Sequence, residues 1–155
     1  LSTLHTNDAP STLNRMVDMG VEAFLVASSV NLILAQRLVR RLCVKCKEQI
    51  ELSPDTLEEL EMTAEAAREG TIMGARGCYD CNDTGYRGRQ GIYEVMVISP
   101  SIRDLILNHR PSSELKVQAG KEGMMTLRMD ALAKLAKGIT SVEEVLKESA
   151  PDKLG

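Results

Sequence analysis

The sequence predicts an α/β fold, and three observations carry that prediction. The opening Leu1-Ser-Thr-Leu-His5 is short, partly β-branched and apolar, and it runs through a polar loop into a helical pattern. Ile92-Tyr-Glu-Val-Met-Val-Ile98 has the β-branched content of a strand. Everything from Ser99 onward reads as helix. Strand, loop and helix in that order are the local grammar of an α/β sheet, which places functional loops at the carboxyl ends of its strands.

Residues 1–5 are expected as a strand ending in the loop Thr6-Asn7-Asp8. Asp8 suits an N-cap, and Pro10 is tolerated in a first helical turn. Leu13, Met16 and Val17 recur at helical spacing, and Gly20 ends that helix. Glu22 to Ser28 reads as a second short helix. From Leu32 to Leu42 two interleaved sets alternate, Leu32, Leu34, Gln36, Leu38 and Ile33, Ala35, Arg37, Val39, so strand is preferred over helix. Ser53-Pro-Asp-Thr opens a helix with Leu57 and Leu60 on one face, and Thr63 to Glu69 continues in helical style. Gly70, Gly74 and Gly77 mark turns. Gly85-Tyr-Arg-Gly-Arg-Gln-Gly91 is expected as a glycine-rich connector before the strand at 92–98. Helices then open at Ser99-Pro100, at Pro111-Ser-Ser-Glu114, near Thr126 and at Thr140-Ser-Val-Glu-Glu144, the last with a capping signal. The last five residues are expected to fray.

All four cysteines sit in two knuckles, Cys43-Val-Lys-Cys46 and Cys78-Tyr-Asp-Cys81. A tetrahedral structural zinc needs four thiolates, and two residues between ligands let a tight turn aim both sulfurs at one ion. The 31 residues between the knuckles exceed the common zinc-ribbon gap of about 15–20, so the loop between them must carry structure of its own. Two disulfides or four metal-free thiols are the alternatives. Disulfides need an oxidising compartment, and nothing here reads as a signal peptide. The expectation is structural zinc in a cytoplasmic protein.

Composition narrows the function classes. With 155 residues, 43% hydrophobic and 26% charged, the chain can build a core of ordinary globular character. A net charge of −3 gives no global basic field for nucleic acid. The local exceptions are Arg37, Arg40, Arg41 and Lys45 before and in the first knuckle, and Arg76, Arg87 and Arg89 around the second. No Trp and a single Phe leave few platforms for stacking bases. No apolar run is long enough to span a membrane. The chain begins without Met, on what reads as a strand in progress, as a piece of a longer protein would.

Two segments could carry chemistry. His5-Thr6-Asn7-Asp8 gathers hydrogen-bonding side chains into one loop, which at a sheet's carboxyl edge can contact a phosphate or position a water. A polar turn with an incidental histidine is the alternative. In the Gly85–Gly91 stretch, glycines permit close backbone approach and two arginines offer forks for phosphate oxygens; on spacing alone a plain connector with solvated arginines is slightly favoured. There is no Walker A: Ala119-Gly-Lys-Glu122 lacks the upstream glycine and the Ser/Thr after Lys. His109 reads as a surface residue, the Glu58-Glu59 and Glu143-Glu144 pairs as solvated helix faces, and the eight methionines as packing.

Taken in order, these motifs are recognisable. Leu1-Ser-Thr-Leu-His-Thr-Asn-Asp-Ala9 resembles the His box of the secretion ATPases that drive type II secretion and type IV pilus assembly. Ala35-Gln-Arg-Leu-Val-Arg-Arg-Leu-Cys43 is similar to the entry to that family's tetracysteine subdomain, and the second knuckle with Thr84-Gly-Tyr-Arg-Gly-Arg-Gln-Gly-Ile-Tyr-Glu94 to its exit. Thr126-Leu-Arg-Met-Asp-Ala-Leu-Ala-Lys-Leu135 and Gly138-Ile-Thr-Ser-Val-Glu-Glu-Val145 look most like the pilus-extension branch. The resemblance covers essentially the whole chain.

It implies the C-terminal part of a RecA-like P-loop NTPase domain in a hexameric motor at the cytoplasmic face of the inner membrane. ATP hydrolysis with Mg²⁺ would move a membrane platform protein that adds pilin. Residues 1–42 would belong to the ATPase core, 43–86 to the zinc subdomain, 87–98 to an arginine loop and returning strand, and 99–155 to a helical subdomain. His5 would lie near the γ-phosphate and couple hydrolysis to domain movement. Arg89, and next Arg87, would support the nucleotide's charge. Cys43, Cys46, Cys78 and Cys81 match the family's zinc ligands. The family's Walker A, Asp box and Walker B precede the His box and are absent here, so the chain alone is expected not to hydrolyse ATP. A zinc-stabilised protein-binding module and a zinc-ribbon nucleic-acid binder are the other classes. A chelator is expected to melt residues of about 43–86 and to spare the C-terminal helices.

Overall fold

A computed structural model describes residues 1–152, so only two of the five residues expected to fray lie within the described chain. It holds eight helices and four strands, and it divides into two compact units. Leu1–Gln36 and Tyr93–Thr126 form the first; Arg37–Ile92 and the chain from Leu127 onward form the second. The architecture is mixed α/β with a cysteine cluster, in line with the expected class.

In the first unit, α1 (Ala9–Asp18) is capped as expected. The Asp8 carboxylate accepts the Ser11 N–H at 2.9 Å and Pro10 sits in the first turn. Helix α2 is Ala23–Ser29, α5 Pro100–Leu107 and α6 Ser112–Lys121. These helices bury Leu13, Val26, Ile102, Ile106 and Leu115 together with Ile33 and Met96 from the strands. Residues 1–5, expected as a strand, have no regular structure. Extended propensity becomes a strand only where a neighbour supplies a ladder, and no strand among the described residues pairs with them.

Strand β1 (Leu32–Leu42) matches its expected span; it pairs with a strand running from Tyr86 to Val97. Short strands β2 (Glu48–Gln49) and β3 (Met73–Gly74) come between in sequence, so the long partner is β4. It begins six residues before the expected Ile92. The Ile98 N–H donates to Asn31 O at 3.0 Å at one end of the ladder, and the Cys43 N–H donates to Gly85 O at 2.9 Å at the other. The strands are therefore antiparallel, and β4 spends one more residue than β1 between those bonds. One extra residue on a strand makes a bulge, and Gly88 within β4 has a positive φ, +80°, of the kind such bulges use. The glycines of 85–91 thus shape a bulged strand rather than a connector.

In the second unit, α3 (Pro54–Leu60) and α4 (Ala64–Glu69) fill the gap between the knuckles, capped by Ser53 and Thr63. Gly74, expected in a turn, lies in β3, where β2 and β3 pair antiparallel with Glu48 opposite Gly74. Helices α7 (Leu127–Ala136) and α8 (Val142–Glu148) complete the unit. Val39, Leu60, Ile92, Ala131, Leu135 and Val145 are fully buried in it. Arg128 and Glu144 are each 2% exposed, which corrects the expected solvated face for Glu144. No helix among the described residues is long and apolar enough to cross a membrane.

Candidate metal centre

The first knuckle forms where β1 ends. Cys43 O accepts the Cys46 N–H at 3.3 Å and the Lys47 N–H at 3.0 Å, so the chain doubles back within one turn and both thiols face the same way. The second knuckle is a 3₁₀ turn, Tyr79–Cys81, with Cys78 at its head. Its close is tight because Asn82 and Asp83 both take the left-handed conformation, which Asn and Asp tolerate. Lys45 and Asp80 join the knuckles by an exposed ion pair of 3.1 Å, worth no more than about 1 kcal/mol.

These turns bring the four thiols into one cluster. The Sγ separations are 3.8 Å for Cys43–Cys78, 3.8 Å for Cys46–Cys81 and 3.7 Å for Cys78–Cys81, and all four sulfurs lie within 4.8 Å of one another. A disulfide would hold its sulfurs at about 2.05 Å. A tetrahedron with zinc–sulfur bonds of about 2.3 Å has edges of about 3.8 Å. The spacing therefore fits a shared ion and not a pair of disulfides. Cys43, Cys46 and Cys81 are buried, so the cluster is largely shielded from water.

Backbone donors supply the surrounding polarity. The Cys46 thiol accepts the Gly77 N–H at 3.3 Å, and the Cys81 thiol accepts the N–H groups of Cys78 and Gly85, each at 3.2 Å. Burial pushes the Cys46 thiol up to about 11, the Gly77 N–H offsets this only in part, and the neighbouring thiols add to it. Burial also works against ionisation of Cys81, but the Cys78 and Gly85 N–H groups, with the thiols of Cys78 and Cys46, outweigh it and hold Cys81 down at about 6. Without metal, then, Cys81 is favoured as an anion and Cys46 as a neutral thiol. Four thiolates there need a cation, and a soft d¹⁰ ion suits an all-sulfur set. Four ligands leave no open position for substrate, so such an ion serves structure.

Gly85 supports this geometry in a way no other residue can. Its φ is +81°, and an added Cβ would stand 2.6 Å from the Ala75 Cβ and 3.2 Å from the Arg76 nitrogen. Gly85→Ala should therefore cost more than the roughly 1 kcal/mol of an ordinary misfit at positive φ. It should also displace the N–H that Cys81 uses. Urea unfolding of the zinc-loaded protein checks this; an unchanged midpoint would show that the loop yields freely.

The other expected site residues lie elsewhere. His5 is exposed in the irregular segment ahead of α1 and belongs to the first unit. Asp8 organises the loop after it, and the buried carboxylate of Glu94 accepts the Ala9 N–H at 3.3 Å. Arg87 and Arg89 are exposed on β4 in the second unit, on either side of Gly88. His109 is exposed, as expected.

Glu144 and its partners escaped the sequence reading. The Glu144 carboxylate accepts the Arg40 backbone N–H at 2.7 Å and the Arg40 Nε–H at 2.9 Å. The Arg40 guanidinium also sits 4.0 Å over the centroid of the Tyr86 ring. One available signal was the capping pattern Ser141-Val-Glu-Glu144, which marks Glu144 as a residue that turns back toward the helix start.

Comparisons with known proteins agree on one grouping. A family model described as "Type II/IV secretion system protein" matches residues 1–147. The type IV pilus assembly ATPase PilB of Myxococcus xanthus is 47% identical over 154 residues, covering 99% of this chain and 27% of that protein. The type IV pilus assembly ATPase TfpB of Acinetobacter baylyi is 44% identical over 147 residues, with 95% and 25% covered. The type II secretion system protein E of Pseudomonas aeruginosa is 45% identical over 147 residues, with 95% and 29% covered. The chain thus spans about a quarter of the length of these curated relatives.

Proposed function

Because the chain belongs to the type II/IV secretion system protein family, whose relatives here include pilus assembly ATPases, we propose that it is the C-terminal portion of a hexameric ATPase. That motor would power type IV pilus assembly or type II secretion from the cytoplasmic face of the inner membrane, acting on a platform protein there. The observation that carries this reading is the match over residues 1–147, which includes the His5 segment, both knuckles and the Arg87–Arg89 strand. The cysteine cluster holds structural zinc. The rest of the motor supplies the phosphate loop and the Mg²⁺ ligands, so the 155 residues alone do not turn over ATP.

On this reading His5 senses the γ-phosphate, and its exposure at the mouth of a loop suits that role. Arg89 and Arg87 extend from a strand rather than a loop. A bulged strand is a stiffer mount, and it supports a fixed rather than a swinging contact with a nucleotide. Leu32, Leu34, Val95 and Val97, between 41% and 62% exposed, form an apolar stretch in the first unit. Such a stretch is what part of a larger domain would present to its remainder.

The test is steady-state ATP hydrolysis by the full-length protein. His5→Ala should lower kcat about 100-fold, the scale of a lost proton-handling or positioning group, with the ATP KM little changed. The 155-residue chain should be silent in the same assay. An unaltered kcat would remove His5 from the mechanism, and turnover by the short chain would remove the assignment itself.

A further inference from the structure

The turn between α7 and α8 is tied to the cysteine module by its carbonyls. The Thr71 N–H donates to Ala136 O at 2.7 Å and the Leu42 N–H to Ile139 O at 2.8 Å. Lys47 Nζ donates to Gly138 O at 2.9 Å. Leu42 adjoins Cys43 and Lys47 adjoins Cys46. A helix end leaves its last carbonyls without partners inside the helix. Here Lys134 O and Leu135 O are taken by the Ile139 and Gly138 N–H groups, while Ala136 O and the turn's own Gly138 and Ile139 carbonyls find partners in the β2–β3 region and beside the first knuckle.

A second set of bonds runs from a sulfur to the start of α8. Gly85 gives its N–H to Cys81 Sγ, and the next residue, Tyr86, pairs its hydroxyl with Ser141 Oγ at 2.6 Å. Ser141 Oγ accepts the Glu144 N–H at 3.3 Å and so caps α8. Glu144 in turn holds Arg40, which covers Tyr86, while Thr140 Oγ1 donates to Arg40 O at 2.8 Å. Arg40 stands three residues before Cys43. Both routes start at the ligand turns and end on backbone or capping groups of the same helix pair.

We propose that metal in the cysteine cluster governs the order of α7 and α8, making this helix pair a metal-dependent element; this rests on reading the cluster as a metal site. The helices have 10 and 7 residues. Helices of that length do not persist in water on their own propensity and depend on tertiary contacts. If the knuckles open, Leu42, Lys47, Gly85 and Tyr86 lose their fixed positions together. The carbonyls at 138 and 139 and the Ser141 hydroxyl that caps α8 then lose these partners in one step. The sequence expectation that chelation spares the C-terminal helices is replaced for α7 and α8, whereas α5 and α6 lie in the other unit.

Hydrogen exchange on the full-length protein, loaded with one equivalent of Zn²⁺ and then stripped by a chelator, tests this. Exchange within 127–136 and 142–148 should rise by at least about tenfold on stripping, while 100–107 and 112–121 keep their protection. Zinc bound at one per chain with α7–α8 exchange unaffected by stripping overturns the proposal and leaves the metal reading intact. No zinc bound, with the fold retained, overturns both. The variant Tyr86→Phe with Glu144→Gln should keep one zinc and yet show raised α8 exchange; full protection in that variant also overturns the coupling route.

Discussion

Replacing Cys46 and Cys81 by Ser, one ligand from each knuckle, should abolish stoichiometric zinc binding and lower the melting temperature by roughly 8–16 °C. The magnitude follows from linkage. An ion present at a thousand times its dissociation constant stabilises the folded state by about 4 kcal/mol, and a domain of this size loses about 2–4 °C per kcal/mol. The two positions are chosen because they differ. Cys81 is the thiol that the Cys78 and Gly85 N–H groups favour as an anion, whereas Cys46 is held protonated by burial until a cation arrives. Losing both removes one thiol already favoured as an anion and one that burial keeps neutral. Metal analysis together with calorimetry reads the result. A variant without zinc that melts with the parent would show that the cluster contributes nothing to folding.

That expectation was legible in the sequence because a knuckle is a local object. Cys43 and Cys46, or Cys78 and Cys81, announce their geometry through spacing alone. Caps at Asp8, Ser53, Ser99 and Ser141 were legible for the same reason, each being decided within four residues, whereas Thr63 read as helix and is instead the cap of a separate α4. Strand β1 could be read because its two interleaved sets alternate from Leu32 to Val39. What the sequence hid is long-range. Glu144 reads as one of two acidic neighbours on a helix face, and nothing near it says that Arg40, 104 residues earlier, takes its carboxylate. The early start of β4 was hidden by its glycines, whose meaning as a bulge depends on β1 lying alongside. Residues 1–5 mislead in the opposite direction, since a strand-like pattern without a neighbour makes no ladder. The roles proposed for His5, Arg87 and Arg89 rest on family resemblance, since spacing alone assigns none.

Arg128 is the clearest case of a hidden long-range residue, and its removal should cost about 3–5 kcal/mol. It is the largest of the side chains that are almost fully buried. Nε donates to Ser149 Oγ at 2.8 Å, and the two terminal nitrogens donate to Ser149 O at 2.8 Å and Glu59 O at 3.2 Å. All three acceptors are neutral, yet their placement answers the charge. Glu59 lies in the last turn of α3 and Ser149 caps the end of α8, so the guanidinium sits at two helix C-termini, where the backbone dipoles favour a cation. Arg128→Ala leaves a cavity and also strands both carbonyls, which places it among the most damaging truncations. Arg128→Met separates the two causes. It refills most of the volume and removes the cost of desolvating a charge, but it leaves Glu59 O and Ser149 O without donors. If packing dominates, the Met variant should recover nearly all of the loss, as happens when buried charges give way to apolar residues of similar size. We expect it to recover about half, because stranded carbonyls at two helix ends cost about 1–3 kcal/mol each. Denaturant unfolding of the three proteins decides it, and a Met variant as stable as the parent would overturn the electrostatic account of this side chain.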